Sequence, residues 1–211
     1  MILVRKSVDR ELTEIIKKRY NRTALFYDWM DRMIPAGLRR RVWQEARGRV
    51  LEVGVGTGAN FPFYPSGCRV TAIDFSPGML ARARQKLHLA RVPVDLREMD
   101  VQHLEFDAAT FDTVVATCVF CTVPDPVRGL QEVCRVCRPE GKIVLLEHVR
   151  SEHWLLGPLM DALNPLVLYL IGSNINRRTV INVRKAGIII EREENLAGKI
   201  VKLIVGRPGK A

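Results

Sequence analysis

The chain has 211 residues, 47% of them hydrophobic, enough for one sizeable α/β core and too few for two domains of ordinary size. Its formal charge of +10, from 33 Lys and Arg against 23 Asp and Glu, suits nucleic acid, an anionic membrane surface or simply a basic exterior, and does not choose among them. Charge is spread from Arg5 to Tyr20 with no apolar run behind it, which argues against a secretory signal peptide, so a cytoplasmic location and reduced thiols are expected.

The first expected element is a helical stretch, roughly 8–43, with Val8, Leu12, Ile15 and Ile16 on one face. Short runs rich in Val, Ile and Leu then alternate with amphipathic stretches, the pattern of βαβ units around a parallel sheet. Strands are expected at 49–53, 69–74, 94–98, 113–117 and 142–148. Helices are expected at 77–90, with Ser76 as N-cap and Pro77 at the first position, and at 126–137, capped by Asp125. A strongly apolar insert, Trp154 to Ile171, follows the fifth strand. Pro158, Asp161, Asn164 and Pro165 interrupt it, so it reads as a helical hairpin over the C-terminal edge of the sheet and not as a membrane span. A helix over 176–186, stopped by Gly187, and strands at 188–195 and 199–205 bring the strand count to seven. The whole chain is expected to be one domain, with 1–45 as a helical lid and 153–175 as the apolar insert.

Cys118-x2-Cys121 and Cys134-x2-Cys137 have the look of a zinc ribbon with a 12-residue gap. The first pair ends a strand, however, and the second ends a helix of about 12 residues, roughly 18 Å long. The pairs should therefore lie at opposite edges of the sheet as buried or half-buried thiols, and no metal is expected.

Val50-Leu51-Glu52-Val53-Gly54-Val55-Gly56-Thr57-Gly58 runs a strand into a glycine-rich turn, where missing side chains let the backbone approach a ligand. Asp74, at the end of the next strand, is placed to accept hydrogen bonds from ribose hydroxyls. Gly54-x-Gly56-x-x-Ala59 would also serve NAD. Glu52 argues against that rival: a carboxylate two residues before the first glycine opposes a pyrophosphate and suits the ammonium and sulfonium of S-adenosylmethionine. Asp100-Val101 can meet the adenine amine and Met79 can cover the adenine face. The plainer alternatives are a loop or capping carboxylate for Asp100 and core packing for Met79.

With these residues stand Ile73-Asp74-Phe75-Ser76-Pro77-Gly78-Met79-Leu80, Phe111-Asp112-Thr113-Val114-Val115-Ala116 and Arg135-Val136-Cys137-Arg138-Pro139-Glu140-Gly141. Together they resemble, in order and spacing, four motifs of class I S-adenosylmethionine-dependent methyltransferases, in the branch of quinone C-methyltransferases and soluble bacterial phospholipid N-methyltransferases. The resemblance covers 20–205. It implies a Rossmann-like three-layer α/β sandwich with a seven-stranded, mostly parallel sheet in the order 3-2-1-4-5-7-6. It also implies S-adenosylmethionine as cofactor, with Gly58, Phe75 and Thr117 added to its contacts. The segment from Arg19 to Asp28 resembles the N-terminal element of the phospholipid enzymes, whose tyrosine closes over cofactor and acceptor. Tyr20 is thereby a catalytic lid residue and Tyr27 an acceptor contact. Gly56-Thr57-Gly58-Ala59-Asn60-Phe61, Phe63-Tyr64-Pro65 and Glu147-His148-Val149 resemble membrane-associated alkyl thiol methyltransferases instead. Both patterns have glycine where this chain has Glu140, which implies a small turn cost there.

On the acceptor side, the apolar insert is expected to line a lipophilic pocket, rest on a bilayer, or form an added packed layer or a subunit interface. The basic set Arg5, Lys6, Arg10, Lys17, Lys18 and Arg19, with Arg39-Arg40-Arg41, would attract anionic lipid. His148, ending the fifth strand, is the candidate proton acceptor. Asn176 and Arg177 are candidate contacts for a polar head group, with Asn174 and Arg178 beside them. The expected reaction is methyl transfer to a phospholipid amine or a similar lipophilic amine, with a quinone carbon or a small lipophilic thiol as alternatives. An NAD-dependent or nucleic-acid-binding protein is the rival of another class. The scattered basic residues, and Thr117-Cys118-Val119-Phe120 in place of an Asn/Asp-Pro-Pro-Tyr/Phe motif, speak against nucleic acid.

Overall fold

The computed structural model describes residues 34–209. The elements in order are α1 (Ala36–Trp43), β1 (Arg49–Val53), β2 (Arg69–Asp74), α2 (Pro77–Lys86), β3 (Val94–Glu98), β4 (Phe111–Thr117), α3 (Pro126–Val136), β5 (Cys137–His148), α4 (Leu156–Ile171), α5 (Thr179–Lys185), β6 (Ile188–Leu196) and β7 (Val201–Pro208). The sheet has seven strands in the order β3-β2-β1-β4-β5-β7-β6, the order the sequence motifs imply. β1 to β5 pair in parallel, while β7 runs antiparallel between β5 and β6.

Strand alternation explains the two apolar layers. Along β1, Val50 faces a cluster with Val70, Val115, Val144 and Leu146, closed by Val42 and Trp43 of α1 and Leu80 and Ala83 of α2. Leu51 and Val53 face the other side, with Val114, Ala116, Ile143 and Leu145, under Leu130 and Val133 of α3 and Val183 of α5. The caps act as expected: Ser76 accepts from the Met79 N–H at 3.2 Å and Asp125 from the Arg128 N–H at 3.0 Å.

Several expected elements change extent. The expected hairpin is instead one 16-residue helix, α4, with Pro165 inside it and Gly172 stopping it at φ 83°. Pro158 falls in the first turn, where its missing N–H loses no partner, and Pro165 removes a single bond without ending the helix. α5 begins at Thr179 and not at residue 176, because Asn176 and Arg177 are held elsewhere: the Asn176 amide donates to Asp161, and the Arg177 carbonyl accepts the Arg150 N–H at 2.9 Å. The helix after β2 ends at Lys86 and passes into a short 3-10 turn. β5 begins at Cys137, opposite Phe111, but its register with β4 slips before Lys142 meets Thr113, so Glu140 lies in a bulge of the strand, where its φ is not positive and glycine is not required. Cys118 and Cys121 follow the end of β4, while Cys137 pairs with its start and Cys134 lies in the last turn of α3. The two pairs thus sit at opposite edges of the sheet, and all five cysteines are free thiols. Of the expected N-terminal helix, only Ala36–Trp43 falls among the described residues; Tyr20, Tyr27 and the rest of the expected lid lie outside them.

Candidate active site

A cavity of about 360 Å³ opens at the C-terminal ends of β1, β2, β4 and β5. That volume is within the range of small-molecule sites. Its floor is the glycine loop. Gly54 sits at φ 68°, and a Cβ there would lie 2.5 Å from Val119 Cγ2, so glycine is required on both counts. At Gly56, φ 55°, no heavy atom lies within 4 Å of where a Cβ would stand, and the backbone faces the cavity bare.

The loop that follows separates the two cofactor readings. A pyrophosphate site needs a helix opening at the glycines so that its N–H groups converge on the phosphates. Here residues 56–60 form turns, and only the three-residue 3-10 helix Phe61–Phe63 follows.

The carboxylates divide into two kinds. Asp74 lines the cavity while holding its floor: Oδ2 accepts the Gly56 N–H and Oδ1 the Ser76 N–H, each at 2.9 Å. Asp100 lines it next to Val101 and Gln102, its Oδ1 accepting the Gln102 N–H at 2.9 Å. The loop-carboxylate alternative for Asp100 therefore describes part of its work. Glu52 does not line the cavity. It is 1% exposed, and its carboxylate accepts from the Asn60 amide at 2.6 Å and from the Tyr64 hydroxyl. Asn60 does line it; its Nδ2 also reaches Thr117 Oγ1 at 3.3 Å, and its Oδ1 accepts from Arg39 Nη1 at 2.7 Å. Glu52 thus stands behind Asn60 and not at the cavity surface, where its spacing placed it.

Phe75, Met79, Val101 and Thr117 also line the cavity, whereas Gly58, at φ 82°, packs against the Phe61 ring instead. His148 lines the cavity from the end of β5, and burial holds its imidazole below the usual pKa, which favours the neutral base. Asn176 and Arg177 do not line it. Asn176 donates to Asp161, Arg177 donates to the Val123 carbonyl at 2.9 Å, and Asn174 donates to the Cys121 carbonyl, so these side chains anchor α4 and the loop after β4.

Sequence reasoning missed Arg39, Asn60 and the turn from Cys118 to Cys121 as parts of the cavity wall. Arg39, grouped with Arg40 and Arg41 as a surface charge, is 4% exposed and faces the cavity; only its neighbours are exposed. Its one-in-three spacing with Val42 and Trp43 on an inward face was the available signal. Asn60 and the Cys118 to Cys121 turn had no signal beyond their nearness to motifs.

Residues 51–145 match the family described as a methyltransferase domain. A phosphatidylethanolamine N-methyltransferase of Cereibacter sphaeroides is 41% identical over 71% of this chain and 76% of its own length. The chain is a methyltransferase of this family. A thiol S-methyltransferase of Homo sapiens is 43% identical over 49% of the chain, and the match spans only 43% of that relative. Among solved structures, an S-adenosylmethionine-dependent methyltransferase of Thermotoga maritima superposes with a TM-score of 0.68 at 18% identity, covering 91% of this chain and 99% of that one. At that identity the likeness carries the fold alone.

The methyltransferase uses S-adenosylmethionine as its methyl donor, and the lining fits that group. Asp74 and Asp100 offer acceptors for hydroxyl and amino groups, Met79 and Val101 offer apolar faces, and no phosphate cradle competes. When bound, the cofactor supplies a methyl group on a sulfonium, and the walls of the cavity have only to align an acceptor with it and keep water out.

Proposed function

We propose that this methyltransferase N-methylates a phospholipid amine, phosphatidylethanolamine in the first instance, or a similar lipophilic amine, while resting on an anionic membrane surface. The observation that carries the reading is the orientation of α4, which lies over the cavity and contributes Val167 to it. Its polar residues are engaged by the rest of the chain: Asp161, though exposed, pairs with Arg150 at 2.8 Å, and the half-buried Asn164 bonds Asn174 and the Ile175 N–H. Its large apolar residues point out: Leu155, Leu156, Leu159, Leu163, Leu166 and Tyr169 are between 44% and 73% exposed, and Trp154 just before the helix is 76% exposed. A helix with its apolar side outward beside the mouth of an apolar cavity suits a lipid surface that delivers its own substrate. No helix among the described residues is long and apolar enough to cross a membrane, so the contact proposed is peripheral.

The chemistry assigned to the chain's own residues is modest. The part of the lining assigned to the acceptor, Cys118, Val119, Cys121, Thr122, Val123 and Ile175, is largely apolar and favours a neutral amine over an ammonium. His148, neutral by burial, takes the proton that the nitrogen releases. Asp74, Asp100 and the glycine loop hold the cofactor, and Tyr20 and Tyr27 are assigned to closure over acceptor and cofactor. The 41% identity to a phosphatidylethanolamine N-methyltransferase supports the amine.

The thiol reading keeps one specific support: among the described residues the cavity is lined by no Lys or Glu, and its two Asp are the ones assigned to the cofactor, and a small neutral thiol needs no more. Labelled S-adenosylmethionine offered with phosphatidylethanolamine vesicles, an alkyl thiol or a quinone precursor separates the readings. Label in the lipid supports the amine; label only in the thiol or the quinone overturns it.

A further inference from the structure

Glu147 is fully buried one residue before His148 on β5, and the scheme above does not use it. Its strand neighbours Leu145 and Leu146 belong to the two apolar clusters, so a carboxyl here is costly unless something needs it. Oε1 accepts two consecutive backbone N–H groups in the turn after β4, from Val119 at 2.9 Å and Phe120 at 3.2 Å, while Oε2 is sealed from solvent without a hydrogen-bond partner.

That turn opens at Cys118 with φ 54°, a left-handed conformation that a side chain with a Cβ keeps only where its surroundings over-determine it. Cys118, Val119 and Cys121 line the cavity, and Val119 sits against Gly54. One carboxyl therefore holds the segment where the lining assigned to the acceptor meets the glycine loop.

We infer that Glu147 is a positioning residue for methyl transfer: by clamping the turn at Cys118, Val119 and Phe120, it sets where the acceptor's nucleophilic atom stands relative to the glycine loop. The inference rests on methyl transfer by this family and not on which acceptor is used. Burial pushes the Glu147 carboxyl up to about 7 against the pull of the N–H groups, so its charge changes near neutrality. The groups around it are the thiols of Cys118, half-buried, and Cys121, buried, on the turn, both pushed up, His148 on β5, held down, and Lys202, which stands opposite Glu147 on β7 and pairs with Glu193. Arg39 and Arg177 act on the two thiols.

The test uses the full chain, labelled S-adenosylmethionine and phosphatidylethanolamine vesicles, or the thiol or quinone if that is what takes label. Absence of label in every acceptor would count against the proposed function, whereas the variants below are compared with wild type on an acceptor that works. Glu147→Gln keeps the volume and one oxygen but loses the charge. It should lower kcat by about tenfold while the cofactor Kd stays within about threefold, the pattern of a misplaced reacting atom. Cys118→Gly, which adopts a positive φ freely, should return at least about a third of that loss on a logarithmic scale when combined with Glu147→Gln. A kcat in Glu147→Gln within about twofold of wild type, or a double variant no faster than Glu147→Gln, overturns the inference. If Glu147→Gln does not fold, the pH profile of kcat carries the test. The wild-type profile should fall on the acid side of about 7 and that of Cys118→Gly should be flatter, and coincident profiles overturn it.

Discussion

Asp74 reaches from the end of β2 into the glycine loop, its Oδ2 accepting the Gly56 N–H at 2.9 Å while the same carboxylate faces the cavity. A single side chain thus shapes the cofactor floor and offers an acceptor above it. Asp74→Ala should therefore weaken S-adenosylmethionine binding more than loss of one contact alone, by about 10- to 100-fold, the equivalent of roughly 1.5–3 kcal/mol for a hydrogen bond to a charged group. Titration calorimetry reads this directly. A Kd within about threefold of wild type would mean that the ribose is held elsewhere, and binding of NADH in place of the sulfonium would overturn the reading of the loop.

His148 is assigned the acceptor's proton. His148→Phe should preserve cofactor affinity and lower kcat by about 10²-fold, the lower end of what general-base catalysis contributes. Because burial lowers its pKa, acid should titrate it only below its ordinary 6.5. Steady-state kinetics with an amine acceptor at several pH values measures both. An unchanged kcat would leave His148 as packing at a strand end.

The exposed apolar face of α4 can be separated from stability. Replacing Leu159, Leu166 and Tyr169, exposed by 53%, 57% and 73%, with Ser removes little that is buried. Each change should alter folding stability by no more than about 0.5 kcal/mol. Sedimentation with anionic vesicles should nevertheless fall by tenfold or more, since each such side chain gains about 1.5–3 kcal/mol on full burial. Vesicle binding at wild-type strength would assign the face to a partner protein or a second copy instead.

Glu147 also makes a stability prediction. Its pKa rises from 4.5 to about 7 on folding, so the folded chain holds the proton more tightly than the unfolded chain does. Its contribution is complete below about 4.5 and is lost as pH rises through about 7, a change on the order of 3 kcal/mol across that window. His148, with its pKa lowered, acts in the opposite sense at the acid end. Thermal melts of wild type and Glu147→Gln from pH 5 to 8 isolate the Glu147 part: the gap between the two curves should change with pH, and parallel curves would mean that the carboxyl stays ionised throughout.

The inner sheet was legible because parallel strands covered on both faces leave continuous apolar runs, and the edge strand because Val94 and Leu96 alternate with polar residues. 49–53, 69–74 and 94–98 coincide with β1, β2 and β3, and Gly54, Gly56 and Asp74 stand at the strand ends where such folds bind ligands. Ser76 and Asp125 were legible as caps because capping is decided within four residues. The order of β7 and β6 came from resemblance and not from periodicity, since pairing partners leave no trace in a strand's own pattern.

What the sequence by itself determined is the set of elements, the glycine turn and its acid, and the chemical class that they serve, all of which depend on spacings of a few residues. Tertiary structure alone decided that Arg39 meets Asn60 at the cavity wall and that Glu52 is taken up by Asn60 and Tyr64 behind it. It also decided that Asn176 and Arg177 anchor α4, that the apolar insert is one helix whose polar residues are engaged by the rest of the chain, and that Glu147 grips a turn 28 residues away. Each of these is a choice of partner for a polar group removed from water. Such a choice is made by whichever donor or acceptor the packed chain brings within about 3 Å, and distance along the sequence carries no record of it.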